Sequence, residues 1–305
     1  MAPRRDTRNP VSTVPYTRAL VVANPVAGRG RGRPGAEALA RGLSERGIEV
    51  EMHFTAARGD ARERVARLAP EVDLVVAVGG DGTVSEVLEG LSPREVPLAI
   101  LPLGTANVLA LDLGLPREPA GTLAMIGRNR IEAVDTACVN GSRLSFLLVG
   151  VGFDARVIEE FERRRRGPVT RLSYVGAGLR TLVGWQPVPL EVWLDGERHP
   201  RPCFQVVASN AIHYGGFDVL DHDRRIGDGR FEVYLFEKGS RTAILAAALR
   251  AALRGLPGGA CTLHRAERIR VLAPVSVPCH VDGDAFGKTP VEIVVGPVQS
   301  RVFVP

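Results

Sequence analysis

The chain has 305 residues, of which 45% are apolar and 24% are charged. This composition is typical of folded globular proteins and excludes global disorder, and the length favours two domains over one. The formal net charge of +5 favours anionic partners such as nucleotide phosphates or a membrane surface. Aromatic residues make up only 5% of the chain, and single-stranded nucleic acid is usually bound by aromatic platforms, so we expect no nucleic-acid partner.

Cysteine, histidine and hydropathy patterns indicate the compartment. The four cysteines form no CxxC pair, which favours a reduced, cytoplasmic protein. The six histidines show no HExxH or similar metal-binding spacing. The segment Met1–Arg18 is polar and lacks the apolar core of a secretory signal. No run of about 18 apolar residues occurs, so we expect no membrane span.

The first half of the chain alternates between strand and helix patterns. Apolar, β-branched runs predict strands at 19–23, 48–54, 73–78 and 98–101. Helices are predicted at 36–46, 60–68 and 84–91, with another after Asn107, and an irregular glycine and arginine loop at 27–35. Strands separated by helices of this length predict a parallel, Rossmann-like α/β domain.

The second half changes to short strands joined by Gly, Pro and Asp turns. Strands are predicted at 144–149, 190–194, 203–209, 230–236, 268–272 and 290–295, and helices at 170–183 and 241–253. This pattern favours a mostly antiparallel β-sandwich. We therefore predict a flexible segment at 1–17, an α/β domain at 18–135 and a β-sandwich domain at 136–295. The sequence leaves open whether 296–305 return to the first domain.

Two glycine-rich segments imitate nucleotide motifs. Gly30–Gly35 fits GxGxxG, but it lies far from the preceding strand, and Pro34 argues against a helix start there. Gly283–Thr289 resembles a P-loop, but it is one residue short and Pro290 follows where a helix should begin. We interpret the first as a loop and the second as a turn between strands.

A third glycine segment carries a much stronger signal. The buried strand at 73–78 runs directly into Gly79-Gly80-Asp81-Gly82-Thr83 and then into a helix. Ligands bind at the carboxyl ends of parallel strands, and glycines let backbone N–H groups approach phosphate oxygens. Asp81 would repel a phosphate unless a divalent cation lay between them. The motif therefore predicts a nucleoside triphosphate with Mg²⁺.

Two further strand ends support this interpretation. Leu103-Gly104-Thr105-Ala106-Asn107 follows the fourth strand, and Asn24-Pro25 follows the first. Both carry small or neutral polar residues that suit phosphate or nucleotide groups. Because parallel strands end at the same edge of a sheet, we expect the three segments to lie together.

These residues, taken in order, resemble the diacylglycerol kinase catalytic domain, in the bacterial soluble branch that is also similar to sphingosine and ceramide kinases. The matching segments are Asn24–Gly30, Gly79–Val87, Leu101–Asn107, Gly150–Ala155, Asp228–Phe231 and Val281–Asp284. Together they extend over roughly residues 18 to 300. The resemblance implies an ATP-dependent kinase that phosphorylates a lipid hydroxyl, with ATP in the cleft between the α/β domain and the sandwich.

The resemblance also assigns residues. The implied nucleotide contacts are Asn24, Pro25, Val26, Ala27, Gly28, Thr55, Gly79, Gly80, Asp81, Gly82, Thr83, Val84, Ser85 and Thr105. A second, structural Mg²⁺ is implied at Asp228, with the backbone carbonyls of Arg225 and Arg230 as further ligands. Asp135 corresponds to the acid that links this metal to the active site.

One position departs from the family at the catalytic step. The family has Asp-Gly-Glu near its C-terminus, with the glutamate as the general base for the lipid hydroxyl, whereas this chain has Asp282-Gly283-Asp284. We predict Asp284 and Asp81 as catalytic residues. The aspartate side chain is shorter by one methylene, about 1.5 Å, and a base must come within about 3 Å of its proton or act through water.

A lipid acceptor requires access to a membrane. The run Arg163–Arg166 precedes the helix at 170–183, which carries several large apolar residues, so peripheral contact with the inner face of the membrane is one interpretation. The other is a solvated loop and an ordinary core helix. The helix at 241–253 is expected to pack on the second domain. A homodimer remains open.

Two alternatives to a lipid kinase remain. The first is an NAD kinase-like enzyme, whose GGDGT loop is similar, although the Gly104–Asn107 loop and the late Asp-Gly-Asp fit it less well. The second is a non-catalytic lipid- or nucleotide-binding relative, which the aspartate at 284 keeps open.

Overall fold

The structure is a computed structural model that describes residues 15–164, 171–214, 217–218, 220, 226–296 and 299–305. Its contacts divide the chain into two compact units. The first comprises residues up to Gly104, with Gly114–Glu132 and Arg301–Pro305, and the second comprises Thr105–Leu113 and Ala133–Ser300. The segment 105–113, placed in the first domain from the sequence, lies with the second unit because the Asp112 carboxylate accepts the Ile212 N–H at 2.8 Å.

The N-terminal elements alternate as the sequence predicts. In chain order they are β1 (Arg18–Ala23), α1 (Ala27–Gly30), α2 (Gly32–Ser44), β2 (Glu49–Phe54), α3 (Asp60–Leu68), β3 (Leu74–Gly79), α4 (Asp81–Leu91), β4 (Leu98–Pro102), α5 (Val108–Asp112), α6 (Pro119–Arg128) and β5 (Ile131–Val134).

The first unit is built on a parallel sheet. In the described part of the chain the strand order is β2-β1-β3-β4, continued by the C-terminal strand β20 (Ser300–Phe303) and β5. Pairs β1–β2, β1–β3, β3–β4 and β4–β20 are parallel. Strands β3 and β4 are buried along their whole length, as expected for central strands covered on both faces. The C-terminal residues therefore do return to this sheet.

The remaining elements form the second unit. They are β6 (Ala137–Val139), β7 (Arg143–Ser145), β8 (Leu148–Gly152), α7 (Phe153–Arg164), α8 (Arg171–Val183), β9 (Glu191–Leu194), β10 (Glu197–Arg198), β11 (Gln205–Ser209), β12 (His213–Tyr214), β13 (Phe217–Asp218), β14 (Phe231–Phe236), α9 (Arg241–Arg254), β15 (Cys261–Ala266), β16 (Arg268–Leu272), β17 (Pro278–Val281), β18 (Asp284–Lys288) and β19 (Val291–Val295).

Two antiparallel sheets make the second unit a β-sandwich. Among the described residues the strand orders are β10-β9-β16-β19-β6-β7 and β15-β14-β11-β8-β17-β18. Their inner faces share one apolar core that includes Val151, Phe231, Ile269 and Ile293. The predicted fold class, a Rossmann-like α/β domain followed by a β-sandwich, is therefore confirmed.

The predicted loop at 27–35 is wrong. Helix α2 begins at Gly32, and Pro34 lies in its first turn, where a missing N–H costs nothing. Gly28 and Arg29 adopt left-handed backbone conformations, with φ of 60° and 61°, and form a sharp turn between strand and helix. The segment that imitates GxGxxG therefore leads into α2 and is not an irregular loop, and only Gly32 within it is buried.

Two strand predictions in the sandwich also differ. The expected strand at 144–149 is divided into β7 and β8, because the carboxylate of Asp282 binds the backbone N–H groups of the intervening segment. The P-loop look-alike at 283–289 is largely strand β18, which pairs with β17. It is not the simple turn expected from the sequence.

Helix α9 was expected to pack on the second domain, and its Ala251 does pack against an apolar cluster of that unit. In the part of the chain that the structure describes, none of its residues is buried. No helix in the described ranges combines the length and apolar character needed to cross a membrane.

Candidate functional site

Backbone hydrogen bonds connect the carboxyl ends of β1, β3 and β4 in the first unit. The N–H of Asn24 donates to the carbonyl of Val78 at 3.0 Å, and the N–H of Leu103 donates to that of Gly79 at 2.7 Å. The N–H of Thr55, after β2, donates to the carbonyl of Ala23 at 2.9 Å. The structure therefore brings four of the predicted nucleotide segments to one sheet edge.

Two glycines at this edge lie where the backbone of another segment approaches closely. A Cβ on Gly32 would lie 1.9 Å from the carbonyl oxygen of Asn24, so only glycine lets α2 start there. A Cβ on Gly80 would lie 3.0 Å from the Cα of Gly104. The loops after β3 and β4 are thus in near contact through their glycines.

Helix α4 presents its N-terminus at the end of β3. Its first intrahelical hydrogen bond runs from the Val84 N–H to the Gly80 carbonyl, so the N–H groups of Gly82 and Thr83 precede the hydrogen bonds of the helix. Gly82 is exposed, and an added Cβ there would meet nothing within 4 Å. Open space beside N–H groups that make no intrahelical hydrogen bond can accommodate phosphate oxygens.

The residues of this segment differ in exposure. Asp81 and Thr83 are half-buried, whereas Val84 and Ser85 are buried, so contacts by the latter two would come from the main chain. In the loop after β1, Val26 is 75% exposed and its N–H donates to the Asn24 side chain at 3.1 Å, which holds a tight turn. Thr105 is exposed and belongs by its contacts to the second unit.

A carboxylate on α4 orders the neighbouring loop. Glu86 accepts the N–H groups of Gly59 and Ala61 at 2.8 Å and 3.2 Å, and so caps the start of α3. Asp60 accepts the N–H of Ala56, and this hydrogen bond holds the pKa of the carboxyl below its ordinary value. These bonds fix the loop that follows Thr55.

In the second unit, Asp135 organises the segment proposed for the structural metal. Its fully buried carboxylate accepts the N–H of Gly229 at 2.7 Å and the side-chain amide of Gln299 at 2.7 Å. Asp228 is exposed, and one of its oxygens accepts the N–H of Arg230 at 3.1 Å. Arg225 lies outside the described residues.

This segment fits a hard cation in its donor chemistry. A carboxylate and backbone carbonyls are the oxygen ligands that Mg²⁺ prefers. A Cβ on Gly227 would lie 2.5 Å from the carbonyl oxygen of Ala133, so the turn is pressed against the strand that leads to Asp135. No group of three or more His, Cys, Asp or Glu residues suited to a metal occurs within the described ranges, so main-chain ligands would be essential.

The hairpin that carries the predicted base is anchored by Asp282. Its carboxylate accepts the Ser145 hydroxyl at 2.8 Å and the N–H groups of Phe146, Leu147 and Leu148 at 3.0–3.1 Å. Burial raises the pKa of Asp282, and the four hydrogen bonds oppose that rise. With φ of 52° at Asp282 and 87° at Gly283, these residues form a tight two-residue turn.

Asp284 begins β18 immediately after this turn. Its carboxylate lies 3.3 Å from the guanidinium of Arg143 on β7, and its side chain is 40% exposed. The next residue, Ala285, donates its N–H to Glu162 of α7 at 3.1 Å. Asp284 is therefore solvent-accessible, and contacts with β7 and with α7 hold this part of the hairpin in place.

A cavity of about 880 Å³ lies beside this hairpin in the second unit. It is lined by α7, α8, the segment that follows them and Ala285. Many of its lining side chains are charged, among them Arg156, Glu159 and Arg180. A polar group of a substrate would suit this wall better than an acyl chain.

Sequence reasoning missed a buried pair behind the hairpin. Nε2 of His280 lies 3.1 Å from the carboxylate of Asp154, and the N–H of Gly283 donates to Nδ1 of the same ring at 3.3 Å. A Cβ on Gly150 would lie within 2.3 Å of both side chains, so this glycine makes room for the pair. Burial, reinforced by Asp154, raises the pKa of Cys279 to about 12. The sequence signal for this pair is His280, a single polar residue in the otherwise apolar segment 277–281.

Both halves of the chain match known family descriptions. Residues 18–139 match "Diacylglycerol kinase catalytic domain", and residues 147–304 match "YegS C-terminal NAD kinase beta sandwich-like domain". The chain belongs to the diacylglycerol kinase catalytic-domain family. The resemblance inferred from the ordered motifs is thereby confirmed, and with it the assignment to a family of kinases.

Relatives of similar length carry corresponding names. The chain is 28% identical over 285 residues to "Diacylglycerol kinase" of Bacillus subtilis, covering 91% of this chain and 93% of that protein. It is 28% identical over 298 residues to "Diacylglycerol kinase" of Mycobacterium tuberculosis, covering 94% and 95%. It is also 28% identical over 269 residues to "Probable lipid kinase YegS-like" of Stenotrophomonas maltophilia, covering 84% and 83%.

A solved structure shows the same fold. The crystal structure of a diacylglycerol kinase from Bacillus anthracis str. Sterne aligns with a TM-score of 0.75 at 21% identity, covering 95% of this chain and 98% of that one. At this identity the likeness concerns the fold alone. It agrees with the two family matches in uniting an α/β domain with a β-sandwich in one chain.

Proposed function

We propose that this member of the diacylglycerol kinase catalytic-domain family transfers the γ-phosphate of ATP to the hydroxyl of a lipid, such as diacylglycerol or a sphingoid lipid. The observation that carries the proposal is the turn from β3 into α4, where the N–H groups of Gly82 and Thr83 precede the first intrahelical hydrogen bond and open space lies beside Gly82. The names of the relatives support a lipid acceptor, since three of them are called diacylglycerol kinase or lipid kinase.

The first unit would bind the nucleotide. The N–H groups at the start of α4 would hold phosphate oxygens, and the half-buried Asp81 would bind the Mg²⁺ that accompanies them. Asn24 and Thr55 lie at the same sheet edge and would add polar contacts. ATP bound with Mg²⁺ supplies the phosphoryl group and the charge neutralisation that its transfer requires.

The second unit would supply the proton acceptor. Asp284 is accessible and its hairpin is fixed by the buried carboxylate of Asp282, so it can take a proton from the acceptor hydroxyl. The guanidinium of Arg143, 3.3 Å from Asp284, orients the carboxylate. Asp135 would keep the 226–230 segment in place for a structural Mg²⁺ at Asp228.

We further propose that the protein works in the cytoplasm and contacts the inner face of the membrane peripherally, because its acceptor is a lipid. The NAD kinase-like and non-catalytic alternatives predict different outcomes in one assay. The protein is incubated with labelled ATP and Mg²⁺, and with either extracted bacterial lipids or NAD. Label in a lipid product supports the proposal, label in NADP selects the first alternative, and nucleotide binding without transfer selects the second.

A further inference from the structure

Helix α9 has its three leucines on the outside. Leu245, Leu249 and Leu253, spaced four residues apart, are 50%, 62% and 72% exposed. The residues between them on the same arc are small, Ala246, Ala248 and Ala252, and they are exposed too. The opposite, half-buried side of the helix carries one large apolar residue, Ile244, together with alanines and Arg250. A helix that only packs on its own domain would place its leucines inward.

The helix itself is well formed. Ser240 accepts the N–H of Ala243 at 3.2 Å as its N-cap, and the N–H of Gly255 closes the last turn on the carbonyl of Ala251. At the C-terminal end, Arg250 donates to the carbonyl of Pro257 at 3.2 Å. The leucine face is therefore presented by an ordered element of fixed orientation.

The charged residues near the leucine face of α9 indicate what kind of surface it binds. Between Glu237 and Glu267 the sequence contains no acidic residue, whereas it contains Lys238, Arg241, Arg250 and Arg254. Lys238 and Arg241 are exposed at one end of the leucine face, and Arg254 is exposed at the other. An apolar face bordered by cations is the pattern of a helix that lies in the interface of an anionic membrane.

The same charges disfavour a second copy of the chain. In a symmetric dimer the same patch of each protomer faces the other, so two acid-free, cationic helices would be brought together. Helix α8 offers a contrasting surface. It exposes Val175, Leu179 and Val183 at the same spacing, but its surroundings are mixed in charge. Glu160 of the adjacent helix α7 pairs with Arg163, Arg164 and Arg180, whereas the segment around α9 contains no acidic residue.

We infer that the leucine face of α9 docks the protein on an anionic lipid surface, with the cations at its ends against the headgroups. This inference rests on the proposed function, because a soluble kinase with a lipid acceptor must reach its substrate at the membrane. Docking through α9 would also hold the second unit, which carries Asp284, at the lipid surface.

The test measures partitioning onto vesicles in the absence of ATP and of any acceptor lipid. Vesicles of phosphatidylcholine mixed with an equal amount of phosphatidylglycerol are sedimented with wild-type protein and with single variants. We expect Leu249→Gln to lower the partition coefficient about tenfold, because one leucine no longer enters the interface. We expect Arg241→Gln to lower it about fivefold, and vesicles of phosphatidylcholine alone to bind the wild type weakly.

Leu179→Gln on α8 is the matched control, since Leu179 is 58% exposed. It should leave partitioning unchanged. The inference is overturned if Leu249→Gln binds like the wild type, or if Leu179→Gln weakens binding as strongly. It is also overturned if sedimentation in solution shows a dimer that Leu249→Gln dissociates while vesicle binding stays unchanged.

Failure of the kinase proposal gives a separate signal. Phosphorylation of a short-chain, water-soluble diacylglycerol needs no docking, so Leu249→Gln should retain that activity. If the wild type binds the anionic vesicles through α9 but phosphorylates no lipid, the docking surface stands and the proposed reaction does not. If the wild type phosphorylates the soluble acceptor but Leu249→Gln binds vesicles normally, the reaction stands and the docking surface does not.

Discussion

The ring of His280 links the carboxylate of Asp154, 3.1 Å from Nε2, to the backbone N–H of Gly283, 3.3 Å from Nδ1. Because Nδ1 accepts a hydrogen bond, Nε2 carries the proton and donates to Asp154. Both side chains are almost fully buried. The pair therefore connects the start of α7 to the turn that precedes Asp284.

Replacement of the histidine should loosen this connection. His280→Leu leaves the Asp154 carboxylate and the Gly283 N–H without their bonds to the ring, and we expect a loss of about 2–4 kcal/mol in the free energy of unfolding. Chemical denaturation measures the effect. The single variant Asp154→Leu and the double variant Asp154→Leu/His280→Leu complete the cycle. The loss in the double variant should be far smaller than the sum of the losses in the two single variants. Additive losses would contradict direct coupling of the pair.

Gly82 offers a test of the phosphate-binding turn. Gly82→Val should preserve the fold, because an added Cβ meets nothing within 4 Å, yet it should abolish nucleotide binding by filling the space next to the N–H groups. Isothermal titration with ATP and Mg²⁺ measures the affinity, and thermal unfolding provides the control. Unchanged affinity in a folded variant would remove this turn from the nucleotide site.

Gly32 should be indispensable for a different reason. A Cβ there would lie 1.9 Å from the carbonyl oxygen of Asn24, so Gly32→Ala should destabilise the first unit by about 2–4 kcal/mol. Gly127→Ala in α6 is the matched control, because its Cβ meets nothing within 4 Å. It should stabilise the protein by about 0.5–1 kcal/mol, as alanine does in a helix. Equal effects of the two changes in chemical denaturation would contradict the close approach.

If the proposed structural Mg²⁺ site exists, Mg²⁺ should change the melting temperature of the wild type more than that of a variant without the site. Mg²⁺ should raise the melting temperature of the wild type, because a ligand that binds only the folded state stabilises it. Asp228→Asn should lose most of this increase, since its carboxylate would be the charged ligand of the proposed site. Glu197→Gln, at an exposed position on β10, is the control and should keep it. Equal shifts in all three proteins would show that the site does not exist.

Asp284 departs from the family and can be tested in both directions. Asp284→Asn should lower turnover by about 10²- to 10⁴-fold, the usual contribution of a general base, with little change in ATP affinity. Asp284→Glu restores the family's side chain and should retain or raise activity. Steady-state kinetics with a lipid acceptor measures both variants. Near-normal turnover in Asp284→Asn would show that Asp284 is not the general base and has only a structural role in the hairpin.

Local sequence patterns predicted most of the elements. Helix α3 was predicted with its observed bounds, Asp60–Leu68, because Asp60 begins an amphipathic run that Pro70 terminates. Strand β16 was also predicted with its observed bounds, Arg268–Leu272, where apolar and charged residues alternate. In both elements, residues close in sequence determine the conformation. The α/β and β-sandwich halves followed from such patterns.

Features that depend on distant residues were not predictable in this way. The division of 144–149 into β7 and β8 is caused by Asp282, more than 130 residues away, which binds the N–H groups between the two strands. The start of α2 at Gly32 depends on space beside Asn24. The pairing of Asp154 with His280 likewise joins residues 126 positions apart.

The central claim is that this protein transfers phosphate from ATP to a lipid hydroxyl. The most direct measurement is the rate at which γ-labelled phosphate enters the organic phase when the protein is incubated with ATP, Mg²⁺ and diacylglycerol in mixed micelles. We predict steady incorporation by the wild type and none above background by Asp81→Asn, which keeps the shape of the side chain but removes its charge. Equal incorporation by both proteins, or none by the wild type with any lipid offered, would contradict the account.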